Sequence, residues 1–428
     1  MVAEDIAASI AHVHALRDAG VLTDDEDEAL AAALVEVAAG VADGTIVAHD
    51  HEEDIHSVVE RAVTDRLGEL GGKLHAGRSR NDLVVTDLRL WLLAAGERSS
   101  TLLTGLAGAL VERAREHTST WMPGTTHGRA AQPVSLAHHL LAHAWALTRD
   151  LERMRQWADR TSTSPLGAGA IATSTLPLDP AASASRLGFR RVFANSLDAV
   201  SDRDFVQEFI GACAIVATHL SRLGADLARW TDSALGWAQL DEAYSTGSSM
   251  MPHKRNPDTV ELARGKAARI AGDMVSITAL LQGLPLGYHR DLQEDKEPAF
   301  DAADTLALVV PALTGAVRTV RFDTAAMLEA CRDDGLYATD VAEALVAAGV
   351  AFRVAHRRTG ELLRRLAEGG RTLYDLAPEE WVELGLAGGG ALLDPARSVA
   401  ARAGMGGPSP RSVDEQIVAL TSALAANS

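Results

Sequence analysis

TGSSMMPHKRNPD, running from Thr246 to Asp258, makes opposite demands on the backbone at its two ends. Gly247, followed by Ser248 and Ser249 with Pro252 and Pro257 downstream, suits neither a helix interior nor a central strand, because glycine is permissive and proline lacks an N–H. The stretch reads as a loop. Asn256 is a good N-cap and Pro257 a good first helical residue, so a helix is expected to start there and run through VELARGKAARIAGDMVSITALLQ. The loop thus presents two hydroxyls, Lys254 and Arg255 just ahead of a helix N-terminus, an anion site carrying a nucleophile or base. An ordinary polar turn with a cap is the simpler alternative.

Outward from this loop, several long apolar-periodic segments approach or exceed about 25 residues, longer than typical globular helices and suited to a bundle. They begin with LVVTDLRLWLLAAGERSSTLLTGLAGALVERAREH, SLAHHLLAHAWALTRDLERMRQWADR and DFVQEFIGACAIVATHLSRLGADLARW. Their Ala, Leu and Val occupy more than one face, which predicts burial on more than one side and hence self-association. Alternating strand segments with hairpin turns are not evident, so the expected class is all-α. Gly71, Gly72 and Gly77 break the helical pattern before GRSRND, and shorter helices around Gly-rich turns return in the last hundred or so residues. Three domains are expected, 1–77, 78–329 and 330–428. The charges of ELLRRLAEGGR, Glu361 to Arg371, read as a solvated helix face.

A chain of 428 residues can bury a large core, and its formal net charge of −18 argues against a nucleic-acid or anionic-membrane partner. A dianionic substrate would need a local cationic pocket against that background. Cys213 and Cys331 form no disulfide framework or zinc spacing and read as buried small residues. The start, MVAEDIAASIAHVHAL, is acidic and amphipathic, and no uninterrupted apolar run reaches about 18 residues, so a soluble cytoplasmic protein is the expectation.

The loop closely resembles the signature loop of the fumarase/aspartase superfamily, whose members eliminate fumarate from succinyl compounds. HEEDIHSVVE, GGKLHAGRSRNDLVVTDLRLWL, MPGTTHGRAAQPVS, SPLGAGA, NSLDAVSDRDF, LPLGYHRDLQEDKEPAFDA and LLDPARSVAARAGMGGPSP resemble, in order, blocks of its argininosuccinate lyase and delta-crystallin branch. GRSRND and QEDKEP are specific to that branch. The resemblance implies a three-domain all-α fold whose central long helices form a homotetramer, with each active site built from three subunits.

Eliminating an amine from an N-substituted aspartate requires a base for the Cβ proton, stabilisation of an aci-carboxylate, an acid for the leaving nitrogen and clamps for two carboxylates. By resemblance Ser248 is the base, with Lys254 supplying the cationic surroundings that so weak an acid needs. His127, in TTHGR, matches the active-site histidine, and Glu261 its orienting partner; leaving-group acid and electrostatic support both remain open for it. Ser79, Arg80, Asn81 and Thr126 match carboxylate-binding positions, a setting that suits the planar fork of arginine. Ser249, Asn256, Tyr288, Gln293, Lys296 and the cationic Arg203 match further substrate contacts, and Asp54 an acidic position near the amine. No metal or organic cofactor is implied, because fumarate release needs only proton transfer and anion stabilisation.

Three departures bear on the amine. Family members usually carry a further stretch of about 30 residues before the block that here spans Asp5 to His12, and that stretch contributes a substrate-binding serine. Gly128 and Arg129 stand where leucine and glutamine are usual, His253 replaces a glutamine, and His289 and Arg290 stand where asparagine and lysine are common. The leading expectation is therefore a carbon–nitrogen lyase acting on argininosuccinate. The first rival is the same elimination with another amine, such as an aminocarboxylate of the ethylenediamine-disuccinate type; the second is an inactive structural homologue.

Overall fold

The computed structural model describes residues 1–426. It is all-α in architecture, dominated by five long helices, Arg80–Glu116, Leu136–Thr161, Asp204–Trp230, Asp258–Leu281 and Lys296–Thr319. The described residues divide into two compact units, one of residues 1–100, 152–215 and 268–307, the other of 101–151, 216–267 and 308–426. This division crosses the long helices and so differs from the one drawn at the Gly-rich breaks.

In the first unit, helices Val2–Asp18, Asp24–Ala42 and Ile55–Leu67 pack Ile6, Val13, Leu16, Leu30, Leu34, Val37, Val59 and Val63 into one apolar cluster. Thr23 and Glu26 form a reciprocal capping box ahead of the acidic run at Asp24. Two buried anchors lead from this cluster to the GRSRND turn. His12 Nε2 bonds the carbonyl of Ala76 at 2.9 Å, and Arg78 Nη1 donates to Ser9 Oγ at 3.0 Å. Burial depresses His12 to about 3, so its ring is neutral. The helix Arg80–Glu116 then starts with another reciprocal cap: Ser79 Oγ accepts from Asn81 N at 3.2 Å and Asp82 Oδ1 accepts from Ser79 N at 3.1 Å. Further along, Gly96 is required for packing, since an added Cβ would sit 2.4 Å from the ring of Trp157.

In the second unit the shorter C-terminal helices enclose a core of Leu336, Tyr337, Val341, Leu345, Leu362, Leu366 and Trp381. On Phe352–Glu368, Leu362 and Leu366 are buried while Glu361, Arg364 and Arg365 are exposed, the solvated face expected of that charge run. Helices Asp204–Trp230 and Asp258–Leu281 meet closely at Gly224, where a Cβ would lie 2.6 Å from the carbonyl oxygen of Val260. Cys213, in the first unit, and Cys331, in the second, are free and buried.

Two local features differ from the sequence reading. Trp121–Thr126 and Arg129–Ser135 form an antiparallel hairpin, with a bulge between Gly124 and Thr125. Pro123, Gly124 and Pro133 hide it from strand-propensity reasoning, which excludes proline from central strands but not from an isolated ribbon. The helix after the signature loop starts at Asp258, one residue later than the expected Pro257. Pro257 is itself the cap, its carbonyl accepting the first helical bond from Glu261 N at 3.1 Å, while Asn256 is held in a short strand opposite Thr246. Strand pairing has taken the residue whose side chain suited the cap.

The segment Arg290–Thr319 is long and apolar enough, by length and composition, to cross a membrane. It is half-buried within the fold, carries Pro311, and passes this test as core helices of soluble proteins do.

Candidate active site

The first unit gathers eight of the residues that the sequence singles out. Asp54 caps Ile55–Leu67, accepting from Ser57 N at 3.0 Å, and its other oxygen lies 3.5 Å from Arg80 Nη1. Arg80 Nη2 donates to Ser57 Oγ at 3.2 Å, so the EEDIH and GRSRND blocks lock together. Glu53, beside them, forms a close ion pair with Arg290 and lies 3.8 Å from Arg80. Asn81 Nδ2 reaches the carbonyl of Ala170 at 3.3 Å. Asp82 Oδ2 accepts from Gly167 N at 3.0 Å and Gly169 N at 2.9 Å, fastening the SPLGAGA block beneath the turn. Burial pushes the Asp82 carboxyl up to about 6 despite its three backbone donors.

Tyr288 donates its hydroxyl to Gln293 Oε1 at 2.9 Å, and burial raises the phenol above its ordinary range. Lys296 Nζ donates to Asp295 Oδ1 at 2.8 Å and to the carbonyl of Leu292 at 3.3 Å. Arg203 is only 1% exposed and gives Nε to the other Asp295 oxygen at 2.5 Å, with Nη1 on the carbonyls of Asp202 and Val200 at 2.8 and 3.3 Å. Its guanidinium therefore holds Asp295, and Asp295 holds Lys296. Asp295 sits within the QEDKEP motif between two residues that were singled out, yet only its complete burial reveals it as the hub.

The second unit carries the other seven. Thr246 and Gly247 pair with Asn256 and Arg255 in a narrow ribbon, closed further by Ser248 N donating to the carbonyl of Lys254 at 3.2 Å. Asp258, at the helix start, accepts from Thr246 through both its backbone N–H and its hydroxyl. Across the tip, Ser248 Oγ accepts from Met251 N at 3.0 Å and Met250 N at 3.3 Å. Two backbone dipoles thus point at the serine oxygen, the arrangement that stabilises developing negative charge there. Ser249 and Lys254 are exposed on the same tip.

Thr126 ends the first strand of the 121–135 hairpin, and His127 and Gly128 form its two-residue turn with φ of 51° and 72°. Both left-handed conformations mark a type I′ turn, which explains the glycine at 128 and projects His127 at the hairpin tip. Arg229 Nη2 steadies the turn through the carbonyl of Gly128 at 3.1 Å. Glu261 lies one turn into its helix, 3.7 Å from Arg264. No hydrogen bond or ion pair among the described residues joins His127 to Glu261 or to Ser248 within the chain.

A lyase family profile matches residues 1–272, and an argininosuccinate lyase C-terminal profile matches residues 335–400. Among solved structures, EDDS lyase in complex with formate superposes with a TM-score of 0.89 at 29% identity, covering 99% of this chain and 86% of that one. A class II fumarase from Schistosoma mansoni, at 16% identity and a TM-score of 0.77 over 92% of this chain and 89% of that one, shares the fold. The chain is thus a carbon–nitrogen lyase of the fumarase/aspartase fold. Argininosuccinate lyase of Frankia casuarinae is 49% identical over 97% of this chain and 90% of its own, and that of Acidothermus cellulolyticus 48% identical over 98% and 88%. The chain belongs to the argininosuccinate lyase family.

Proposed function

We propose that this protein cleaves argininosuccinate to arginine and fumarate. Ser248 takes the Cβ proton, and the electron pair left on carbon is delocalised into the adjacent carboxylate as an aci-carboxylate. Collapse of that intermediate forms the fumarate double bond and breaks the Cα–N bond, the leaving nitrogen taking a proton. The observation that carries the base assignment is the pair of N–H groups on Ser248 Oγ. They lower the cost of an oxyanion on an otherwise weakly acidic hydroxyl, and Lys254 adds positive charge on the same tip.

The remaining roles follow the chemistry of the groups. Ser79, Arg80, Asn81, Thr126, Ser249, Asn256, Tyr288, Gln293 and Lys296 clamp the carboxylates, and Asp54 faces the amine half. Arg203 acts through Asp295 and Lys296, as a positioning residue. His127, oriented by Glu261, serves the leaving nitrogen or the charge of the intermediate. Among the described residues His127 bonds neither Glu261 nor Ser248, which fits a site completed by neighbouring subunits. The long helices within residues 78–329, whose Ala, Leu and Val occupy more than one face, support a homotetramer built around that segment and flanked by domains 1–77 and 330–428. Such an enzyme works in the cytoplasm on a small dicarboxylate substrate.

A second reading, elimination of a different amine, is favoured by the likeness to EDDS lyase and by Arg129 beside His127. Arginine and fumarate produced in equal amounts from argininosuccinate support the first reading; fumarate only from an aminocarboxylate adduct replaces it with the second.

A further inference from the structure

The second unit contains a cluster of ligating side chains that plays no part in the elimination. His139 and His143 lie four residues apart on the helix Leu136–Thr161, and so on one face of it. Both present Nε2 to the same oxygen of Asp226, on the helix Asp204–Trp230, at 2.8 and 2.9 Å. All three ligand atoms lie within 4.8 Å of one another. We propose that His139, His143 and Asp226 form a binding site for a divalent first-row transition ion of the zinc type, which ties these two helices together.

Several features favour a metal over a bare hydrogen-bonded triad. Two imidazole nitrogens and a carboxylate oxygen from an i, i+4 pair plus a facing helix are a donor set suited to zinc, cobalt or nickel. Ligands of a tetrahedral zinc with bonds of about 2.0–2.1 Å stand about 3.3 Å apart, so the present N···O separations need open by only about half an ångström. The side chains have access and room for that movement, being 28, 13 and 34% exposed for His139, His143 and Asp226. The second oxygen of Asp226 makes no hydrogen bond among the described residues, and water can complete the coordination. A second ligating group, Asp5, His56 and Asp87, is almost completely sealed, with side chains 1, 6 and 0% exposed, and offers a hydrated ion no comparable entry.

The site also contains its own reporter. Trp230 packs edge-on against His139 with ring centroids 4.9 Å apart, close enough for a paramagnetic ion at Nε2 to quench its fluorescence. The inference is independent of the proposed reaction, since none of the three residues has a role in it.

The test uses the intact enzyme stripped of metal by chelator and then dialysed against zinc or cobalt at about 10 µM free ion. The expected result is one equivalent bound per chain, visible absorption of tetrahedral cobalt, and cobalt quenching of part of the tryptophan emission. His143→Gln and Asp226→Asn should each weaken binding at least about tenfold, with helix content and metal-free fumarate release unchanged. Crystals of the unmodified protein soaked in zinc should show an anomalous peak among the three side chains, a readout that needs no variant. No stoichiometric binding to the unmodified protein, undiminished binding in both variants, or a peak only at other residues would overturn the proposal.

Discussion

Arg203→Met isolates what the buried pair beneath the candidate site contributes. Methionine fills a similar volume but leaves the Asp295 carboxylate, fully buried, with Lys296 as its one remaining cationic partner. Breaking a buried pair by removing one member costs about 3–5 kcal/mol, because the surviving charge remains desolvated. An unfolding entropy of about 2.1 cal/mol/K per residue gives roughly 0.9 kcal/mol/K for 428 residues, so Tm should fall by about 3–6 °C. Lys296, drawn more tightly onto Asp295, should also meet substrate less well, raising KM more than it lowers kcat. Arg203→Met/Asp295→Leu removes both charges and should recover at least half of the lost Tm while leaving KM high. Scanning calorimetry and steady-state fumarate release measure the two effects. A Tm within about 1 °C of the parent, or a double variant no more stable than the single, would refute the reasoning.

Lys296→Met and Asn81→Leu should each weaken substrate saturation, and unchanged kinetics would mean that the carboxylate clamp lies elsewhere. Gly128→Leu, which places a branched side chain at a φ of 72°, should cost about 1 kcal/mol in urea-unfolding free energy; an unchanged midpoint would contradict the type I′ turn. Asp87 is 0% exposed, neither of its oxygens has a hydrogen-bond partner among the described residues, and burial holds its carboxyl well above the ordinary range. The native state therefore keeps a proton that the unfolded chain loses above about pH 4, so this group's contribution to stability falls as pH rises from there towards its raised pKa. Asp87→Asn should flatten that slope above about pH 4, and an identical pH dependence in the variant would show that Asp87 is charged in the fold.

The signature loop and the long helices were legible because glycine, proline and apolar periodicity act locally. Glu261 one turn into its helix and the solvated face of Phe352–Glu368 both follow from such rules. Asn256 was misplaced as a cap because pairing with Thr246 is set by the ribbon, and no residue type at 256 announces that competition. The 121–135 hairpin was invisible for a related reason: its prolines and glycine forbid a central strand, whereas two strands alone can accommodate them. Arg203 looked like a substrate contact because an arginine in SDRDF is simply a cation until its burial against Asp295 is known. The His139, His143 and Asp226 cluster combines a readable i, i+4 pair with a partner 83 residues further along the chain, a distance that only tertiary packing closes.

The most direct test of the central claim is the initial rate of fumarate formation from argininosuccinate, followed by ultraviolet absorbance, for the purified protein and Ser248→Ala side by side. Rapid, saturable release by the parent with loss of about a thousandfold or more in Ser248→Ala, the oligomer remaining assembled, is the predicted result. Release by Ser248→Ala near the parent rate would contradict the base assignment, and absence of release by the parent would contradict the proposed reaction.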